Sequence, residues 1–333
     1  MHGGAFQHVA ATERVSRPRD PAAATGMGSP LSRSAPGSGR EPGLRLIALQ
    51  RPDMRSGLAA LVVVLLHALL AAAILLPQER ASLATGLWPA NACVVAFLLH
   101  ARLRNEWLPL AAILIAGAAV HWASGFGPGA AMLLGIAHVV EIAGAVGLTR
   151  WLCGARPDLA RLGDLTRFIW AGGCAAPLAS TAVASPVLGS DLATIGAGAA
   201  AWLFTHSMAM ILVVPTALLL VDRRERPVTL PLASMGEALI LLVGGMACAF
   251  LILRQAALPL LFLIQPITLL HAFRLGARGT AVFVLAVAGI AGLMTSLGLG
   301  PIAAAAPSQG TRLLLLQLFV SANFLTGLPV AAI

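Results

Sequence analysis

From Gly57 onward the chain is a succession of apolar runs of about 20 residues separated by short loops, and this restricts its fold more than any motif does. In hydrocarbon every backbone N–H and C=O must be satisfied internally, so only helices and closed barrels cross a bilayer. The runs lack the period-two alternation of barrel strands, which leaves helices. A mean hydropathy of +0.87 and a charged fraction of 11% exclude an ordinary soluble domain, in which about a quarter of the residues are charged. The expected fold is all-α, a polytopic transmembrane helical bundle of about ten spans.

The spans read as 57–76, 83–100, 107–124, 130–153, 168–188, 193–221, 234–253, 258–273, 280–299 and 311–333. Charge tests this segmentation, because basic residues collect on the cytoplasmic side of a membrane. All 22 basic residues are arginines; with the N-terminus inside, alternating loops put nineteen of them in the cytoplasm and only Arg80, Arg254 and Arg312 opposite. Both termini are therefore expected to be cytoplasmic. The net charge of +9 reflects this topology, and with no basic stripe on a soluble face no nucleic-acid partner is expected. Cys93, Cys153, Cys174 and Cys248 are scattered without metal-ligand spacing and read as packing residues.

Residues 1–55 are rich in Gly, Pro, Ser and Arg and carry too little apolar surface for a core. They read as a disordered basic segment preceding an integral membrane domain over 56–333. No apolar stretch near Met1 suits a cleavable signal, and Met54, directly before the first span, is an alternative start.

Chemistry concentrates on the fourth span, AAMLLGIAHVVEIAGAVGLTRWLC, with Glu141 near its centre. An ionised carboxylate there costs roughly 2.5–3.5 kcal/mol on insertion scales, so Glu141 must be protonated, paired, or turned toward protein or water. His138 lies one helical turn earlier on the same face, beside the small Ala137, Gly144 and Ala145 that let helices approach and shield the pair. Trp202 and His206 in the sixth span can meet the same cavity. In the second span Trp88 and Pro89 precede Asn91, whose amide is placed to satisfy a carbonyl freed by the proline. Glu141, His138, His206, Trp88, Asn91 and Trp202 are the candidate ligand-binding or switch residues. The bland alternative is a set of hydrogen-bonded packing residues. His138 and Glu141 have the chemistry to bind a metal, relay protons or hold a cationic or hydrogen-bonding ligand, and the sequence singles out none of these. His67 stands in the first span without an assigned role. His121 reads with Trp107 and Trp122 as an interfacial anchor, and His100 and His271 as boundary residues. No HExxH, GxSxG, P-loop or dinucleotide motif occurs, so no catalytic residue, metal centre or cofactor is assigned.

Trp88-Pro89 with LLHARLRNEW, His138-Val-Val-Glu141 with its small-residue tail, Trp202 through Pro215 ending in LLL, and HAFRLGARG follow one another in a characteristic order. In this the chain resembles the first type of membrane-associated sensor (MASE) domain, from about Gly57 to Ile333. The resemblance implies a multi-pass input module of the bacterial inner (plasma) membrane, without catalysis of its own. Its implied partners are the lipid bilayer and a cytoplasmic output domain or partner protein, a GGDEF diguanylate cyclase or a histidine kinase, expected beyond residue 333; a homodimer is also implied. The family's acid in the fourth span matches Glu141. Where the sixth span of the family often carries an acidic-polar turn, this chain has Thr205-His206-Ser207-Met208. A competing reading is a secondary transporter of a small solute. The midplane acid, the proline-interrupted spans and an echo of LLHA at 98–101 and 269–272 favour it, and the scarcity of polar span residues opposes it.

Overall fold

The computed structural model describes residues 54–75, 87–101, 103, 105–221, 234–306 and 308–333, and every regular element among them is helical. The expected disorder before residue 54 and the loops that carry Arg80 and residues 222–227 lie outside the described residues, as do Arg102 and Arg104. The main helices are α1 (Met54–Leu75), α2 (Pro89–Ala101), α3 (Trp107–Ala123) and α4 (Pro128–Cys153). After them come α5 (Leu162–Phe168), α6 (Ala176–Ala184), α7 (Leu192–Val221), α8 (Met235–Arg254), α9 (Ile264–Ser296), α10 (Gly300–Ala305) and α11 (Gln309–Ala331). Seven helical stretches are long and apolar enough to cross a membrane, while α2 and α3 are apolar but shorter.

Two expectations about span boundaries are refined. The expected spans 258–273 and 280–299 are two helices within α9 that fold back on each other at Gly276 (φ 63°, ψ −168°), so that His271 of the first stacks on Phe283 of the second and the expected arginine loop tightens to a turn. Glycine tolerates this left-handed φ, so the chain turns there without a loop. The expected fifth span begins earlier, as α5, and passes through a π-helical segment, Ile169–Ala175, before α6. Pro177 lies just past that segment and lacks the N–H that would hold an α register at Gly173.

The buried apolar side chains form two large clusters, and α7 belongs to both. Ala209, Met210 and Val214 pack with residues of α1 to α4, whereas Met208, Ile211, Leu212 and Leu219 pack with α8, α9 and α11. The start of this 30-residue helix is fixed by Asp191, whose carboxylate accepts the backbone N–H groups of Ala193 (2.9 Å) and Thr194 (3.0 Å). These bonds, that of Thr194 foremost, hold the Asp191 carboxyl below its ordinary range.

α1 turns one narrow stripe inward, Val63, His67 and Ala71, and leaves Leu61, Leu65 and Leu69 to lipid. Close helix contacts rest on glycines: a Cβ on Gly135 would stand 2.9 Å from Leu114 O across the α3–α4 contact. At one end of the bundle Arg150 of α4 makes a two-pronged pair with Glu106 (2.6 and 2.7 Å) and also donates to Leu98 O (2.8 Å). Glu237 of α8 pairs with Arg274 of α9.

His271 is not a boundary residue. It is buried, its Nδ1 and Nε2 face the carbonyl oxygens of Ile267 (2.7 Å) and Leu241 (3.0 Å), and its ring stacks on Phe283. Gly245 makes the room, since a Cβ there would meet His271 Cε1 at 2.5 Å. Gly245→Ala is expected to destabilise the α8–α9 contact by about 1–3 kcal/mol through overpacking. Gly244→Ala next to it, facing open space, should leave thermal unfolding in detergent unchanged or slightly improved.

Candidate functional site: a buried histidine network

Six helices contribute polar side chains to one enclosed cluster. Pro89 occupies the first turn of α2, where no hydrogen bond is lost, and the Trp88 N–H donates to Thr205 O of α7 (3.2 Å). That contact sets Asn91 among histidines, so its amide does not serve a proline-freed carbonyl as expected. Asn91 Oδ1 lies 3.0 Å from His67 Nε2 on α1, and Asn91 Nδ2 lies 3.0 Å from His138 Nδ1 on α4. The chain continues from His138 Nε2 to His121 Nε2 on α3, again 3.0 Å, with the two rings end to end and 12° apart in plane. Gly117 admits the rings: a Cβ there would already touch both His138 and His67 at 3.8 Å, so any larger side chain displaces one of them.

A second branch starts at Glu141, one turn along α4. Its Oε2 lies 2.5 Å from His206 Nδ1 on α7 and accepts the Ser180 hydroxyl of α6 at 3.0 Å. Trp202 Nε1 donates in turn to Ser180 Oγ (3.1 Å). Indoles line both branches. Trp88 lies near-parallel to His138, His206 and His121, with ring centroids 5.2, 5.6 and 6.4 Å away, and Trp202 stacks on His206 at 4.3 Å. His67, Asn91, His138, Glu141 and His206 are at most 2% exposed, and His121 is 4% exposed.

All six sequence-predicted residues therefore meet in one place. Three further members, His67, His121 and Ser180, were given no part. His121 is no interfacial anchor, since it is buried against His138, whereas Trp107 and Trp122 are exposed as anchors must be. His67 carried a usable signal, being the sole polar side chain in an otherwise apolar stretch from Gly57 to Leu75. Ser180 carried none, because a serine three residues after a proline commonly bonds its own helix, as Ser180 also does to Pro177 O.

The hydrogen-bond chain from α1 to α3 has two directions. In one, His67 Nε2–H donates to Asn91, whose Nδ2–H donates to His138 Nδ1, and His138 Nε2–H donates to His121. Turning the Asn91 amide over and shifting each imidazole to its other tautomer reverses every bond without moving a heavy-atom contact. The outer nitrogens, His67 Nδ1 and His121 Nδ1, have no partner, nor has Glu141 Oε1. Such groups sit poorly in a core unless something else uses them.

The family model that matches this chain is MASE1, over residues 56–333. The chain belongs to the MASE1 family. It is thus a multi-pass membrane protein of the sensory input class, consistent with its apolar helices. Neither a curated protein nor a solved structure matches it. Within this MASE1 domain the histidine network is the largest buried polar feature among the described residues.

Because Asn91 serves two histidines at once, Asn91→Leu is expected to destabilise the domain by about 2–4 kcal/mol, orphaning a buried nitrogen on each side. A cycle combining it with His67→Phe should show coupling of roughly 0.5–3 kcal/mol in denaturant unfolding.

Proposed function

We propose that this MASE1 domain sits in the bacterial inner membrane with both termini in the cytoplasm, and that its histidine network is the switch by which a signal regulates a cytoplasmic output, a diguanylate cyclase or a histidine kinase. One observation carries this reading: a polar cluster of six helices, four of them joined by a hydrogen-bond chain that can run in either direction, is a bistable element buried where polar groups are costly. A ligand favouring one direction shifts the population by its differential affinity.

The route outward runs through α7. His206 and Met208 are two residues apart and point to different sides of the helix. His206 bonds Glu141, while Met208 Sδ accepts the Ser321 hydroxyl of α11 at 2.9 Å. A displacement of α7 that relaxes Glu141 is thereby felt at α11, the helix on which an output in the cytoplasm would hang. Paired outputs of this kind work as dimers, and the domain would act as a homodimer with them. The enclosure of Glu141, 0% exposed, favours sensing over solute transport, which needs an acid reachable from water.

The test appends a diguanylate cyclase reporter after Ile333 and measures cyclic-di-GMP. Glu141→Gln should change output by about fivefold or more, the size of an ordinary coupling between sites. Met208→Leu should blunt the response while leaving the network intact. Output equal to wild type in Glu141→Gln under every stimulus would reject the switch. Topology is checked separately: a fluorescent protein inserted after Arg161 should fluoresce, and alkaline phosphatase inserted after Gly127 should be active.

A further inference from the structure

Three side chains of the network form a constellation that a proton does not fully use. His138, Glu141 and His206 each offer a ligand atom, all within 4.8 Å of one another and all buried. His121 Nε2 lies 3.0 Å from His138 Nε2 but stands outside that group of three. A tetrahedral ion with nitrogen and oxygen ligands at about 2.0–2.1 Å holds neighbouring donor atoms about 3.3 Å apart. The His206–Glu141 contact inside this group, 2.5 Å, needs to open by less than an ångström, and the remaining separations, up to 4.8 Å, need to close by about 1.5 Å. Glu141 Oε1 points to the same need, for it is a fully buried carboxylate oxygen without any hydrogen-bond partner.

We propose that His138, Glu141 and His206 form a binding site for a divalent first-row transition-metal ion, and that this ion is an input to the switch described above. The inference rests on that reading for its role in signalling, but not for binding. Imidazole-rich sets with one carboxylate suit zinc, copper, nickel or ferrous iron and disfavour magnesium and calcium, which take oxygen. Binding also selects one direction of the hydrogen-bond chain. An ion on His138 Nε2 requires the proton on Nδ1, so Nδ1–H must donate to Asn91 Oδ1, and the turned amide then donates to His67 Nε2. Asn91 becomes the outer partner that orients the ligand, as carboxylates and carbonyls do in metal sites. His67 on α1 is thereby set in its other tautomer by an ion it does not touch.

His121 is two residues from the end of α3, and Phe126 in the following turn lies edge-on against its ring, with centroids 5.5 Å apart.

The test uses the full chain, purified, stripped with a chelator and titrated with cobalt(II), whose visible ligand-field bands report coordination, and then with zinc. The expected result is about one cobalt per chain with a tetrahedral spectrum, displaced by zinc. Glu141→Gln and His206→Gln should each weaken binding roughly a hundredfold, while His100→Ala leaves it unchanged. X-ray absorption of the zinc-loaded wild type provides a readout free of any variant's folding, and it should show imidazole and oxygen ligands. A wild type that takes up no cobalt, a shell of water or sulfur, or binding as tight as wild type in Glu141→Gln and His206→Gln would overturn the site. The two readings fail separately. Absent metal binding with a Glu141-sensitive output sinks the ion and keeps the switch. A bound ion with an output indifferent to both metal and Glu141→Gln keeps the ion and sinks the switch.

Discussion

The pairing of Glu141 with His206 is the interaction on which the rest of the domain depends. A carboxylate deep in hydrocarbon is tolerated only when a partner takes up its charge or its proton, and here the partner comes from a helix 65 positions later in the chain. Meeting that condition ties α4 to α7 through side chains that meet between them. α6 follows, because Ser180 supplies the second bond to the same oxygen and receives Trp202 in return. The break from α- to π-helix before Pro177 sits immediately ahead of this serine.

Around that pair the packing follows the rule for helices in lipid, where association rests on close approach and polar bonds rather than on exclusion of water. Gly117 and Gly135 bring α3 against α1 and α4 closely enough for three imidazoles and an amide to reach one another. The arginine of α4, Arg150, ties off the end of the same helices at Glu106 and Leu98 O. Polar bonds thus occur at the centre and one end of the first half, with apolar contacts between them. The second half is held more by apolar packing, relieved by His271 and by the Thr268 hydroxyl, which donates to Asn323 Oδ1 at 2.6 Å.

Much of this was legible in the chain. Hydropathy fixed helices and excluded strands, and the cost of Glu141 in lipid pointed to the site before any contact was known. The partners of Glu141 were partly readable, because a histidine and two tryptophans in apolar spans have few bland explanations. What could not be read was three-dimensional. His121 sits at a helix end, where a sequence gives an interfacial anchor and a buried hydrogen-bonding residue the same appearance, and only the face of α3 that turns inward separates them. His271 was misread for the same reason, since nothing local announces that Gly245 has vacated space for its ring. The break at Gly276 lies inside an arginine-bearing stretch that looks like a loop, yet one residue of positive φ is enough to turn the chain there.

α7 is a party wall. The histidine network lies on one side of it, and on the other a small cleft, lined by Leu87, Met208, Gly292 and Gln317 among others, opens between it and α9 and α11. Leu87 directly precedes Trp88, and Met208 follows His206 by two residues, so the cleft and the network share masonry without sharing a surface. Whatever occupies one compartment and leans on the wall alters the affinity of the other, and thermodynamic reciprocity makes the effect equal in both directions.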